Sequence, residues 1–257
     1  MGSGSHAPGM TVSHWVVGEG PVVVLVHAGV GDARMWAQLV EDLRVDHRVI
    51  TLDLRGYGET PLAIGTKYSD AGDVLDLLDE LAIETAAMVA ASYGGYVALQ
   101  AATRRPERFS RLVLMAPPVD GVDRTDDQRA FGAAEDDLLE AGDVDGATAL
   151  NVHTWLGPDA DDKAQELVFA MQRRAFELQL AAGDDIENEE YEVDLAAVST
   201  PVKLFTGAHD LQYFHDCGAH LAANLPKVDY TELAWAGHLP SLERPAEMNA
   251  LIRAALS

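Results

Sequence analysis

Met88-Val89-Ala90-Ala91-Ser92-Tyr93-Gly94-Gly95-Tyr96-Val97 is the stretch that decides how the rest of this chain is read. An apolar run, Ala86 to Ala91, stops abruptly at a serine. Two glycines come almost at once, and a helix-compatible run then extends from Tyr96 to Arg105, before Pro106. A short buried strand, a sharp turn and a helix fit that order. A serine on such a turn is lifted off the sheet with its hydroxyl exposed, and the first amides of the helix point toward it. This is the geometry of the Gly-x-Ser-x-Gly elbow, with Ala90 in place of the first glycine. The plainer reading is an ordinary serine in a strand-to-helix turn, and the stretch alone does not separate the two.

Working outward, strands and helices alternate on both sides. Val12 to Val17 reads as a first strand. Val22-Val-Val-Leu-Val26 is a continuous apolar run, as expected of a strand covered on both faces. It ends in the glycine turn His27-Ala-Gly-Val-Gly-Asp32, where Asp32 can cap a helix over Arg34 to Leu43. Arg48 to Asp53 is the next strand and Leu54 to Pro61 its loop. Ser69 opens a helix whose apolar positions recur at helical spacing. Arg111 to Ala116 is a further strand. Such alternation predicts an α/β fold, a mostly parallel central sheet with helices on both faces.

The rhythm breaks after Pro117-Pro118. No strand is expected from Asp120 to about Val198, and three helical segments are: Asp126–Ala141, Asp143–Trp155 and Asp161–Ala182. A strand at Pro201–Thr206, a helix at Tyr213–Asn224, a strand at Val228–Ala234 and a helix at Pro245–Leu256 complete the chain. The organisation read from this is a core over residues 10–119 and 199–257, with an all-helical insertion over 120–198 after the sixth strand. Residues 1–9 read as a remnant of expression and stand outside the fold argument. Trp155, Phe169 and Phe176 on the insertion are candidates for a pocket wall, although each would serve equally well in helix packing.

A serine hydroxyl is a poor nucleophile without a base, and the base needs an orienting acid. On a parallel sheet these groups belong at the carboxyl ends of strands. Asp210, in Thr206-Gly-Ala-His-Asp210, and His238, in Gly237-His238-Leu-Pro240, both follow expected strands. Asp120, after the preceding strand, is an alternative acid. The order Ser92, Asp210, His238 resembles that of the α/β-hydrolase superfamily. So do His27-Ala-Gly29 with Trp36 downstream, Asp53-x-Arg55-Gly56-x-Gly58, Gly207-x-x-Asp210, and Glu243-Arg-Pro245 after the histidine, and the likeness spans nearly the whole chain.

The resemblance implies that Ser92 is the nucleophile, His238 the base and Asp210 its acid. It implies an oxyanion hole from the backbone amides of Gly29 and Tyr93, no cofactor, a structural role for His27, and the helical insertion as a cap. Ala28, where the family has glycine, and Trp36 join the expected pocket residues. A serine nucleophile resembles the esterases, lactonases, carbon–carbon bond hydrolases and cofactor-free perhydrolases. The fold's dehalogenases and epoxide hydrolases carry aspartate there. Hydrolysis of a small ester or lactone is the expected activity, in the cytoplasm.

Composition narrows the alternatives. The 257 residues carry a net charge of −24, with 42 acidic and 18 basic side chains, so no basic stripe exists to displace counterions from nucleic acid or to hold an anionic membrane. No apolar run reaches the roughly 20 residues of a membrane helix. The single cysteine, Cys217, rules out an internal disulfide. Gly29-Val-Gly31 followed by Asp53 mimics a dinucleotide fingerprint, but Arg34 occupies the third glycine position and no Tyr-x-x-x-Lys pair exists. His215 and His220 lie five apart, on different faces of a helix, and no metal is expected. A non-catalytic binding protein on the same fold would have no need of all three of Ser92, Asp210 and His238.

Overall fold

Alternate residues of the central strands enter one of two separate cores. In Val22–Val26 (β2), Val24 and Val26 join an apolar cluster with helices Asp70–Glu80 (α2) and Tyr93–Arg104 (α3). Val23 and Leu25 join another with Ala37–Leu43 (α1) and Pro245–Leu256 (α9). The same split runs through Arg48–Leu52 (β3), Ala86–Ala91 (β5) and Phe109–Met115 (β6). Helices cover both faces, which is why these strands read as unbroken apolar runs. A fully buried leucine such as Leu25 or Leu114 contributes roughly 2 kcal/mol. A one-residue slip would exchange the two faces, so the register is firmly set.

The computed structural model describes residues 12–62, 67–183 and 186–257, so residues 1–9 and two positions of the acidic run, 184 and 185, lie outside it. Its main sheet has seven strands among the described residues, in the order β1-β3-β2-β5-β6-β8-β9, where β1 is His14–Val17, β8 Val202–Gly207 and β9 Val228–Leu233. Only the β1–β3 pairing is antiparallel. The chain runs from β2 outward to β3 on one side and returns to place β5 on the other. The crevice at that reversal, at the carboxyl ends of β2 and β5, is where ligands bind in open α/β sheets.

Helix starts follow the capping residues in the sequence. Asp32 Oδ1 accepts from the Arg34 amide at 2.9 Å and opens a 3-10 turn, Ala33–Trp36, before α1. Ser69 Oγ accepts from the Gly72 amide at 3.2 Å at the start of α2. Three helices, Asp126–Glu140 (α4), Val144–Trp155 (α5) and Asp162–Ala182 (α6), lie between β6 and β8. One expectation is corrected here. Glu187–Asn188 (β7) pairs in parallel with Lys67–Tyr68 (β4), so the stretch after Asp120 does contain a strand. Two residues are too few to leave a periodic signal. After β8 come helix Gln212–Asn224 (α7) and, after β9, a single turn, Pro240–Glu243 (α8). No helix among the described residues is long and apolar enough to cross a membrane.

Candidate active site

Ser92 stands between β5 and α3 with φ 49° and ψ −121°, a conformation that non-glycine residues rarely hold. Such a residue costs roughly 1–3 kcal/mol and persists only where its surroundings fix it. Here the Ser92 amide donates to the Met115 carbonyl at 2.7 Å, and its own carbonyl accepts from Gly95 at 2.8 Å and Tyr96 at 3.2 Å. Gly94 lets α3 approach the end of β2. A Cβ there would lie 2.4 Å from the His27 carbonyl oxygen and 2.7 Å from that of Val26. Ala90, in the place of the elbow's first glycine, is fully buried in register with Val26 and Leu114, and its methyl is accommodated.

The loops after β8 and β9 are joined by their backbones. The His209 amide donates to Ala236 O at 2.9 Å and the Ala208 amide to Leu233 O at 3.0 Å. Gly207 allows this contact, since a Cβ on it would lie 2.0 Å from Gly237 O. These loops bring Asp210 and His238 to the serine. His238 Nδ1 lies 2.6 Å from Asp210 Oδ2, and His238 Nε2 lies 2.7 Å from Ser92 Oγ. The side chains of His238 and Asp210 are 3% and 0% exposed, so the contact between them is shielded from water. An ionised carboxylate only accepts, which places the proton on Nδ1 and leaves Nε2 free to accept from the serine hydroxyl. The imidazole is flanked by Phe214 and Trp155, with ring centroids 4.1 and 4.8 Å away.

Gly29 and Tyr93 face one another across the β2–β5 crevice. A Cβ on Gly29 would be 3.4 Å from Tyr93 Cβ. The Tyr93 hydroxyl donates to Asp70 Oδ2 at 2.6 Å and accepts from Asn188 Nδ2 at 2.8 Å. Burial pushes the Asp70 carboxyl up to about 6, against these hydrogen bonds. His27 fixes the turn below. Its Nδ1–H donates to Ala28 O at 2.8 Å, and its Nε2 accepts from the Leu54 amide at 2.9 Å. Burial lowers its pKa to about 4, so it is neutral near pH 7.

The expected pocket residues separate into groups. Trp155 reaches His238 and holds Asn151 Oδ1 through its indole N–H at 2.8 Å. Phe176 is buried on α6. Ala28 and Trp36 have no exposed surface and belong to the α1–α9 core, a correction with a simple cause: the 3-10 turn after Asp32 rotates Trp36 inward beside Met35 and Leu39. Phe169 is also corrected. It lines a groove between α5 and α6 with His153 and Leu156, apart from Ser92. Asp120 accepts from the Tyr96 hydroxyl at 3.0 Å, not from His238. His215 Nδ1 lies 3.1 Å from Glu232. A broader groove, lined by Trp15, Arg34, Glu59 and Arg174, holds none of Ser92, Asp210 or His238. Two residues of the site carry no role in the sequence reading: Phe214 against the imidazole, and Glu243, whose carboxylate accepts from Gly237 and Leu239.

A sequence model described as the alpha/beta hydrolase fold matches residues 21–245. The chain belongs to the α/β-hydrolase family. This α/β hydrolase is 28% identical to a putative carbamate hydrolase RutD of Pseudomonas savastanoi pv. phaseolicola, over 88% of this chain and 90% of that protein. It is 25% identical to carboxylesterase YbfK of Bacillus subtilis, over 90% of this chain and 78% of that protein. Among solved structures, the enol-lactonase of Burkholderia xenovorans LB400 superposes with a TM-score of 0.80 at 21% identity, covering 99% of each chain. An esterase of Thermogutta terrifontis gives 0.79 at 23% identity, covering 98% and 95%. These structures speak for the fold. The family and the named relatives make the protein a hydrolase.

Proposed function

We propose that this α/β hydrolase is a serine hydrolase that cleaves a carboxylic ester or lactone of a small molecule through an acyl-enzyme. One observation carries the reading: the imidazole of His238 lies within hydrogen-bond reach of both Ser92 Oγ and Asp210 Oδ2. His238 Nε2 takes the Ser92 proton as Oγ attacks the substrate carbonyl carbon. The carbonyl electron pair moves to oxygen, where the Gly29 and Tyr93 amides stabilise it. One such donor is worth about 3–4 kcal/mol in the transition state. Collapse expels the alkoxide, which takes the proton from His238. Water then attacks the acyl carbon, His238 accepts its proton, and Ser92 is restored as the leaving group. Asp210 stays ionised throughout, orienting the ring and stabilising the imidazolium. The helical insertion serves as a cap, with Trp155 beside the base. No step requires a cofactor.

The carboxylesterase name among its relatives fits this chemistry. The RutD likeness favours one second reading, hydrolysis of a carbamate by the same residues. Purified protein should be assayed against a panel of short-chain esters, lactones and carbamates, and tested for labelling by a fluorophosphonate probe. Turnover and labelling are expected with wild type, and neither with Ser92→Ala. If Ser92→Ala cleaved any substrate at the wild-type rate, the mechanism would be wrong.

A further inference from the structure

Three consecutive backbone N–H groups around the base are all occupied, and two parts of the fold occupy them. The Gly237 amide donates to Glu243 Oε2 at 2.8 Å, and the Leu239 amide to Glu243 Oε1 at 3.1 Å. Between them, the His238 amide donates to the carbonyl of Trp155 at 3.2 Å. That carbonyl is in the last turn of α5, where helix carbonyls lack an internal partner. The turn that follows α5 is seated on the same carboxylate. A Cβ on Gly157 would lie 2.3 Å from Glu243 Oε2 and 2.5 Å from the Gly237 nitrogen, so the insertion meets this loop through bare backbone. Two residues on, Asp159 pairs with Arg244, whose Nε lies 2.9 Å from the Asp159 carboxylate.

Glu243 is 6% exposed. Burying a carboxylate is unfavourable unless hydrogen bonds hold its charge, and here backbone N–H groups on both sides of His238 do so. Only a carboxylate fits this arrangement. It accepts on both oxygens, whereas the amide of glutamine would turn an N–H₂ toward one of the two donors. Removing either acceptor frees the backbone on one side of the imidazole and leaves a buried amide unpaired.

We infer that Glu243 is a positioning residue that, with the Trp155 carbonyl, locks the His238 loop to the helical insertion, so that the base is aligned on Ser92 while the insertion is seated. The inference rests on the proposed role of His238 as base. It makes the α5–α6 turn part of the device that sets turnover, although no side chain of that turn reaches the serine.

The test combines kinetics with the low-field proton resonance of the His238 Nδ1–H, assigned by its loss in His238→Gln. In folded Glu243→Gln, kcat should fall by about ten- to a hundredfold, the scale of a misplaced catalytic group, with KM within about twofold. The resonance should shift or broaden. Gly157→Ala, which forces a methyl between the turn and the carboxylate, should change both readouts in the same direction. The double variant should be no worse than the worse single one, because both break one contact. Wild-type kcat and an unmoved resonance in folded Glu243→Gln would overturn the inference, even if its Tm had dropped. Losses that multiply in the double variant would also overturn it. If Glu243→Gln does not fold, Gly157→Ala decides. If wild type cleaves no ester, lactone or carbamate, the proposed function fails, while the resonance still reports on the lock.

Discussion

Replacing Gly94 by alanine should damage turnover more than stability. The added Cβ would sit 2.4 Å from the His27 carbonyl oxygen, and ordinary contact begins near 3.4 Å. About 1 Å of separation must therefore open between α3 and the end of β2. Both obstacles, His27 O and Val26 O, are backbone and cannot swing aside. The helix must move, and its first residue is Tyr93. An amide displaced by about 1 Å from the 2.7–3.1 Å range of an oxyanion donor loses most of its contribution, about 3–4 kcal/mol or roughly 10²- to 10³-fold in kcat. The overpacking itself costs about 1–3 kcal/mol. At roughly 2–4 °C per kcal/mol, Tm should fall by several degrees. The assay is kcat and KM on the best ester or lactone of the panel, beside thermal unfolding. KM should change little. Wild-type kcat and wild-type Tm together would refute the close helix–strand approach. A lowered Tm with unchanged kcat would refute the assignment of the Tyr93 amide to the oxyanion.

Two further predictions concern titratable groups. Asp210→Asn should lose turnover by about 10⁴-fold, as loss of the orienting acid does in the serine-protease triad, whereas Asp120→Asn removes only the Tyr96 contact and should stay within about tenfold on the triad logic; kcat/KM of both variants decides which carboxylate serves the base. His27 makes stability pH-dependent with a definite sign: its pKa is about 4 folded against an ordinary 6.5, so between those values the unfolded chain binds a proton that the native state does not, and stability is lost as pH falls. Asp70, raised from 3.8 to about 6, has the opposite sign over a similar window, since there the native state holds the proton. The His27 contribution is therefore isolated by comparison with His27→Gln in urea unfolding. The stability gap between wild type and variant should shrink by roughly 2–3 kcal/mol between pH 7 and pH 4.5, and an unchanged gap would mean that His27 is not held neutral.

The sequence carried the fold because its signals are local. Continuous apolar strands, capping residues such as Asp32 and Ser69, and the stop at Pro106 each act within a few residues. The helices of the insertion, α4 to α6, start and end within a residue or so of where periodicity placed them. That Ser92, Asp210 and His238 meet in space was legible as well, because on a parallel sheet each strand's carboxyl end lies on the same edge. What a side chain faces was not legible. Trp36 and Phe169 are both aromatic residues on apolar helical faces, yet one turns into the core and the other onto an outer groove. That choice depends on how the 3-10 turn before α1 directs Trp36 and on how α6 packs against α5. Glu243 was visible only as part of a motif, because its partners are backbone amides, which carry no residue identity. The β4–β7 pair joins positions some 120 residues apart through two residues each, and no window along the chain contains both.

Backbone strain at this edge of the sheet is held in place by pairing between neighbouring strands. Ser92 and Ala116, at the ends of adjacent strands β5 and β6, both have positive φ, 49° and 44°. Neither residue is a glycine, so each conformation must be imposed by its neighbours. Each is tied to the next strand along: the Ser92 amide donates to Met115 O, and the Ala116 amide donates to Phe205 O at 2.8 Å. The elbow therefore cannot relax unless β5 separates from β6, and Ala116 cannot relax unless β6 separates from β8. The loops after β8 and β9 carry Asp210 and His238 and meet each other closely at Gly207 and Gly237. The hydroxyl, the imidazole and the carboxylate are thus referenced to one rigid sheet edge. Such preorganisation suits a site that must stabilise charge appearing only during the reaction. On this geometry the helical insertion meets the His238 loop in two ways, through backbone at Trp155 and Gly157 and through the Trp155 ring beside the imidazole.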